Sequence, residues 1–193
     1  MVILMKRKSI GTNYSMCVQP TFIVGTYNDD NTPDFAPITW VSATCEGAAY
    51  LLVISMFGMK KTKRNVMRTK ALSVNLASTD MLHLVDYFGS PHKDMSRAVY
   101  SYEKSEYVSA PVLDASRWVY ECEVVTSVKT GDSDTLFCKI KNIQIDQNIE
   151  IGDTFSIDLT KFDPVIYSGQ YHSLGSHLGK IGDFLEGCDL SEN

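Results

Sequence analysis

The sequence predicts a mainly β domain, a barrel or sandwich carrying short helices, and three observations support that expectation. Apolar and polar residues alternate over short stretches, as in Leu72-Ser73-Val74-Asn75-Leu76 and Phe155-Ser156-Ile157-Asp158-Leu159. Such stretches recur at short spacing instead of alternating with long helices, which disfavours a parallel β-α array. The chain of 193 residues is 44% hydrophobic and 21% charged, so it can bury a core and is too apolar to remain disordered.

The elements follow in order. Residues 22–27 and 35–42 are β-branched and aromatic, and the turn-forming run Asn28-Asp29-Asp30-Asn31-Thr32-Pro33 between them predicts a hairpin. Residues 48–57 read as a fully buried central strand. A helix is expected over residues 62–70, with Thr62 as its cap. The 72–76 strand places Asn75 on the face opposite Leu72, Val74 and Leu76. A second helix covers 79–88, where Leu82 and Val85 fall at helical spacing. Residues 89–110 mix Ser, Lys, Tyr and Pro with little apolar pattern, and predict a long lid-like excursion. Residues 118–124 alternate with Glu121 and Glu123 on one face, and the apolar parity of 136–143 slips at Asn142, predicting a bulge. No repeat or linker interrupts this order, so residues 1–193 are expected to form a single domain with its core over about 11–184.

Composition narrows the function classes. With 18 Lys+Arg against 23 Asp+Glu, the net charge of −5 argues against a nucleic-acid partner. The longest nearly apolar run, 48–58, is far short of the roughly 20 residues that span a bilayer, so no membrane association is expected. The charges of Lys6-Arg7-Lys8 follow the apolar Met1–Met5 run, whereas a secretory signal has them before it; a cytoplasmic location is expected. Cys17, Cys45, Cys122, Cys138 and Cys188 are odd in number and lack a Cys-x-x-Cys, consistent with reduced, mostly buried thiols.

The most informative local feature is a charge anomaly. Lys60, Lys61, Lys63, Arg64, Arg68 and Lys70 share one stretch without an acidic residue, in a chain that is acidic overall. Basic residues at a helix opening oppose its partial positive charge, and an anion bound there by free N–H groups, Thr62 and Lys61 would remove the conflict. A solvated basic face is the alternative. The run Gly175-Ser176-His177-Leu178-Gly179-Lys180-Ile181-Gly182 fails as a phosphate loop, because its glycine spacing is short and Ile181 replaces the magnesium-holding hydroxyl. His172 and His177 have no nearby cysteine, no acidic pair has ligand spacing, and His83 reads as a partly buried surface residue; no metal site is expected. No nucleophile elbow is present. Trp40 reads more simply as core than as a flat wall for a planar ligand.

Several segments together resemble the flavin reductase-like family, the FMN-binding split barrels. They are Gly25-Thr26-Tyr27, Pro33-Asp34-Phe35-Ala36-Pro37-Ile38-Thr39-Trp40, Ser55-Met56-Phe57, Lys61-Thr62-Lys63-Arg64-Asn65, Leu72-Ser73-Val74-Asn75-Leu76, Trp118-Val119-Tyr120-Glu121-Cys122, and the ending Asp163-Pro164-Val165-Ile166-Tyr167-Ser168-Gly169-Gln170-Tyr171. The resemblance implies a split β-barrel binding FMN, with the flavin on the strand 35–42 and Trp40 beside it, the phosphate at Lys61, Thr62 and Asn65, Ser55 and Asn75 bordering the ribityl chain and phosphate, and Asp34, Thr39, Met56 and Phe57 also among the cofactor-binding residues. Asp34 departs from the Asn of many relatives, and a carboxylate there would disfavour an anionic reduced ring unless it points away. The resemblance further implies a homodimer with FMN at the subunit boundary. It also implies an NAD(P)H-dependent flavin reductase, with Tyr171 and His172 toward the nicotinamide and no side chain assigned as catalytic. An FMN electron carrier serving a protein partner, and a flavin-free module of the same fold, are the alternatives; the joint presence of Lys61, Thr62 and Asn65 speaks against the last.

Overall fold

The computed structural model describes residues 7–12, 17–90, 99–152, 157–179 and 183. The expectations placed on the 1–5 run, residues 153–156, Lys180–Gly182, Phe184 and Cys188 lie outside them.

The strands run β1 (Gln19–Pro20), β2 (Phe22–Tyr27), β3 (Pro33–Ile38), β4 (Val41–Glu46) and β5 (Ala49–Phe57). Helix α1 (Lys61–Thr69) leads into β6 (Ala71–Leu76), and a 3-10 turn at Thr79–Met81 opens α2 (Leu82–Gly89). Then follow β7 (Tyr102–Lys104), β8 (Pro111–Leu113), β9 (Trp118–Thr130), β10 (Ser133–Ile145), β11 (Val165–Tyr167) and β12 (Tyr171–Ser173). No helix among the described residues is long and apolar enough to cross a membrane.

One seven-stranded antiparallel sheet, in the order β3-β2-β6-β9-β10-β5-β4, makes the body of the molecule. Its two edge strands, β3 and β4, are consecutive in the chain and joined only by Thr39 and Trp40. That link reaches no more than about 11 Å at ~3.6 Å per residue, whereas a flat sheet of this order would hold its edges about 29 Å apart at ~4.8 Å per strand. The sheet must therefore curl into a barrel whose seam lies at Thr39–Trp40. The Ser55 amide donates to the Trp40 carbonyl at 2.9 Å, which carries the β4–β5 ladder one residue into that link. The expected single strand over 35–42 is thus broken into two edges.

Both faces of β2 are buried. Val24 points into the barrel with Leu52, Ile54, Leu72, Val74 and Leu136. Ile23 faces outward into a second core with Phe35, Met81, Leu84, Val85 and Phe88, where α2 covers the sheet. Gly25 lies under the crossing β8: a Cβ there would collide with the Pro111 carbonyl oxygen, the Ser73 hydroxyl and the Phe35 ring. The bulge expected at Asn142 is present between Ile140 and Asn142, with a further register shift between Phe137 and Cys138.

Three expectations need correction. The 48–57 segment lies next to an edge, so Tyr50 is 76% and Phe57 59% exposed while Leu52 and Ile54 are buried. Cys17 and Cys45 are exposed; only Cys122 and Cys138 are buried among the described cysteines. Residues 99–110 are anchored, not free: the Tyr100 ring packs on Phe35 at 5.8 Å and Phe88 at 5.2 Å, β7 pairs with β8, and Ser105 is buried against Glu121. Residues 91–98 of the expected lid lie outside the described residues.

Candidate functional site

The opening of α1 shows how the chain manages its basic stretch. Lys60 is the N-cap residue, without a side-chain capping bond, and the first turn holds no acidic side chain. Thr62, expected as the cap, lies inside the helix. Its Oγ1 donates to Asp34 Oδ2 at 2.6 Å, and Lys61 Nζ lies 3.6 Å from Asp34 Oδ1. The buried Asp34, carried to the helix start by β3, is thus the anion that the helix opening lacks in its own sequence. Two further cations are answered similarly. Lys63 pairs with Asp134 and donates to the Asp132 carbonyl at 3.1 Å, and Arg68 Nε meets Asp29 at 2.7 Å. Among the described residues Lys60, Arg64 and Lys70 have no ion pair. The stretch is therefore neither a bare solvated face nor an unanswered anion site.

Beside this opening, at the seam of the barrel, lies a cavity of about 740 Å³, within the range of roughly 300–1,000 Å³ common for small-molecule sites. Its walls come from the end of β3 and the Thr39–Trp40 link, the end of β5, the start of α1 and the end of α2. Of the residues named from sequence, Asp34, Thr39, Trp40, Ser55, Met56, Phe57, Lys61 and Thr62 all line it. Trp40 is 38% exposed, so it is a wall residue and not core. Ser55 Oγ shares a hydrogen bond of 3.0 Å with Thr135 Oγ1 across the β5–β10 pair, which fixes its orientation at the rim.

Four named residues stand elsewhere. Asn65 turns to the other side of α1, donating to Thr26 Oγ1 at 3.2 Å and Asn28 Oδ1 at 3.0 Å, and lines a separate polar hollow with Lys61, Arg64 and Arg68. Asn75 is fully buried: its amide donates to the Ile23 carbonyl at 2.8 Å and its oxygen accepts from the Leu113 amide at 3.0 Å. It locks β8 onto the sheet and does not reach the cavity. Tyr171 and His172 sit on β12, in the small sheet with β1 and β11. Tyr171 donates to Asp86 on α2 at 2.9 Å, and burial together with that bond pushes its phenol up to about 12. Sequence reasoning missed Pro37, Phe88 and Gly89 as wall residues. Phe88 closes the apolar pattern of the second helix, so its periodicity announced a core role, and only the fold brings it to the rim.

The donor set fits a flavin phosphate ester. A planar ring needs flat apolar walls, which Trp40, Phe57, Phe88 and Pro37 present, and a phosphate needs cations, which Lys60 and Lys61 supply at the helix end of the same cavity.

A barrel split at its seam, with a mixed apolar and basic cavity there, defines the class of split-barrel proteins. Residues 14–175 match the family described as flavin reductase like domain, and the chain belongs to it. It is similar to a curated protein of Acinetobacter baylyi named FMN reductase (NADH) RutF, 31% identical over 77 residues, which are 40% of this chain and 41% of that one. The match thus spans less than half of that relative. Among solved structures it is similar to the flavoredoxin of Desulfovibrio vulgaris (Miyazaki F), at TM-score 0.82 and 22% identity over 93% of this chain and 99% of that one. It is likewise similar to a putative flavin reductase with a split barrel domain from Shewanella frigidimarina, at TM-score 0.77 and 17% identity, with 85% of each chain covered.

Proposed function

We propose that the protein is an FMN-binding flavoprotein that acts as an NAD(P)H-dependent flavin reductase, a cytoplasmic homodimer with the seam cavity as its flavin site. The observation that carries this reading is the convergence, in one cavity, of the Trp40 and Phe57 walls with the Lys60-Lys61-Thr62 helix opening. A bound flavin supplies the hydride-accepting chemistry. The chain's own residues bind and orient: Trp40 and Phe57 flank the ring, the Ser55 hydroxyl meets a polar edge, and Lys61 and Thr62 face the phosphate end. No side chain is needed as an acid or base.

The dimer is supported by the apolar residues exposed around the cavity, among them Phe57 at 59% and Met59 at 87%. Sedimentation is expected to give twice the chain mass of 21.6 kDa, and a monomer with flavin fully bound would remove the subunit boundary from the site.

The test of the flavin assignment compares FMN with riboflavin, which lacks the phosphate. Replacing Lys61 and Thr62 by Ala should weaken FMN more than riboflavin, by no more than about 1.5–3 kcal/mol per charge-assisted contact, since Asp34 also engages both groups; equal losses would refute it. The carrier reading is favoured by the position of Tyr171 and His172, which leaves the cavity without the expected nicotinamide contacts. Anaerobic mixing with NADH or NADPH separates the two: bleaching of the flavin within seconds supports the reductase, and bleaching by dithionite alone supports the carrier.

A further inference from the structure

Among the described residues Asp34 is the one acidic side chain lining the seam cavity, and it competes for the groups that the flavin reading assigns to the phosphate. It is buried to 4% exposure, it takes the Thr62 hydroxyl proton at 2.6 Å, and Lys61 Nζ stands 3.6 Å from its other oxygen. A phosphate monoester carries between one and two negative charges near neutral pH, and inside a partly desolvated cavity its repulsion from a carboxylate is only weakly screened. The Lys61 side chain is 56% exposed and so can swing, but it cannot fully neutralise two anions at once.

We propose that Asp34 sets the phosphate affinity of this cavity: by holding Thr62 and Lys61 to itself it makes a flavin phosphate ester a weakly held, exchanging ligand instead of a resident group. The inference rests on the flavin reading and sharpens it, since an exchanging flavin is a substrate that leaves after each turnover. Riboflavin, lacking the phosphate, is indifferent to the carboxylate.

Asp34→Asn keeps the shape and still accepts from Thr62 while removing the charge; Asp34→Ser removes the charge with a smaller side chain. Titration calorimetry and stopped-flow release of FMN and riboflavin are made on the intact protein and on both variants. FMN should bind at least tenfold more tightly to both variants, mainly through slower release, with riboflavin changed by less than twofold. The gain should shrink to threefold or less when Lys61→Gln is added, because the freed ammonium carries it. Unchanged or weaker FMN binding in the neutral variants, or an equal shift for both flavins, overturns the role of Asp34. A tenfold gain that persists in full with Lys61→Gln overturns the sequestration of Lys61. Failure of the wild-type protein and the variants to bind either flavin overturns the flavin reading, and this inference with it.

Discussion

Asp34 and Glu121 are both buried carboxylates on the same seven-stranded sheet, and the fold treats them in opposite ways. Glu121 is completely buried on β9 and is held by neutral donors: the Ser105 hydroxyl, the Asn142 amide at 2.7 Å and the Gln144 amide at 2.9 Å. Asp34 has a hydroxyl and a half-exposed lysine, and it borders a cavity that Glu121 does not line. Burial alone therefore does not mark a functional carboxylate. A fixed, saturated cage of neutral partners marks a clamp, here one that fastens the 99–110 segment to the barrel. A half-exposed cation at an open rim marks a group whose partner can be exchanged for a ligand.

The largest expected effect breaks the clamp. Glu121→Ala strands the buried Ser105 hydroxyl and frees the half-buried Asn142 and Gln144 amides, and should cost about 3–5 kcal/mol in urea unfolding, since hydrogen bonds to a charged group are worth about 1.5–3 kcal/mol each and do not add fully. A loss below 1 kcal/mol would make Glu121 no different from a surface residue. Next comes Gly25→Ala, which forces β8 off the sheet beside the same clamp; about 1–3 kcal/mol is expected from overpacking, with thermal unfolding as the check.

A smaller effect concerns the thiols behind Glu121. Burial pushes the Cys138 thiol up to about 12, and burial, Cys138 and Glu121 push Cys122 up as well. The unfolded chain releases these protons from about pH 9 while the native state keeps them, so stability falls as pH rises above 9 and is untouched below it. Urea unfolding at pH 8 and 10 should show a loss on the order of 1 kcal/mol per buried thiol, with Cys138→Ala losing less. At pH 7.5 alkylation should modify the exposed Cys17 and Cys45 of the native protein and spare Cys122 and Cys138. The smallest effect is at the rim: Asp34→Asn keeps the acceptor for Thr62 and loses only a 3.6 Å pair with a half-exposed lysine, so it should change unfolding stability by less than about 1 kcal/mol. A loss as large as that of Glu121→Ala would erase the distinction between the two carboxylates.

Local signals made much of the fold legible. Alternation located the strands, helical spacing placed the 3-10 turn and α2 together to within a residue, and the parity slip at Asn142 marked a bulge whose side chain holds Glu121. The site was legible through its charge anomaly and through the family likeness. What alternation could not report is what covers each face. Glu121 and Glu123 share a face in the pattern, yet the Ser105 turn buries the first and leaves the second exposed. Asn75 is named as a site residue only by the family likeness, and β8 covers the face of the sheet on which it lies, away from the barrel core. The Asp34–Thr62 contact joins residues 28 apart, and no local pattern links a strand carboxylate to a helix start at that distance.

The seam at Thr39–Trp40 has a consequence for synthesis on the ribosome. Every described residue lining the cavity lies between Asp34 and Ser90, so this wall has been translated before half the chain exists. Yet among the described strands β5 has its only partner besides the edge strand in β10, through pairs such as Ser55 with Thr135, and β6 reaches β10 through β9. Until those late strands emerge, the two edges that meet at the seam belong to separate hairpins and enclose nothing. Pairings this distant in sequence form slowly, in milliseconds to seconds for barrels of this kind. A nascent chain arrested near residue 100 should therefore carry all the cavity's residues and none of its binding, and flavin capture should begin only once β10 has left the exit tunnel.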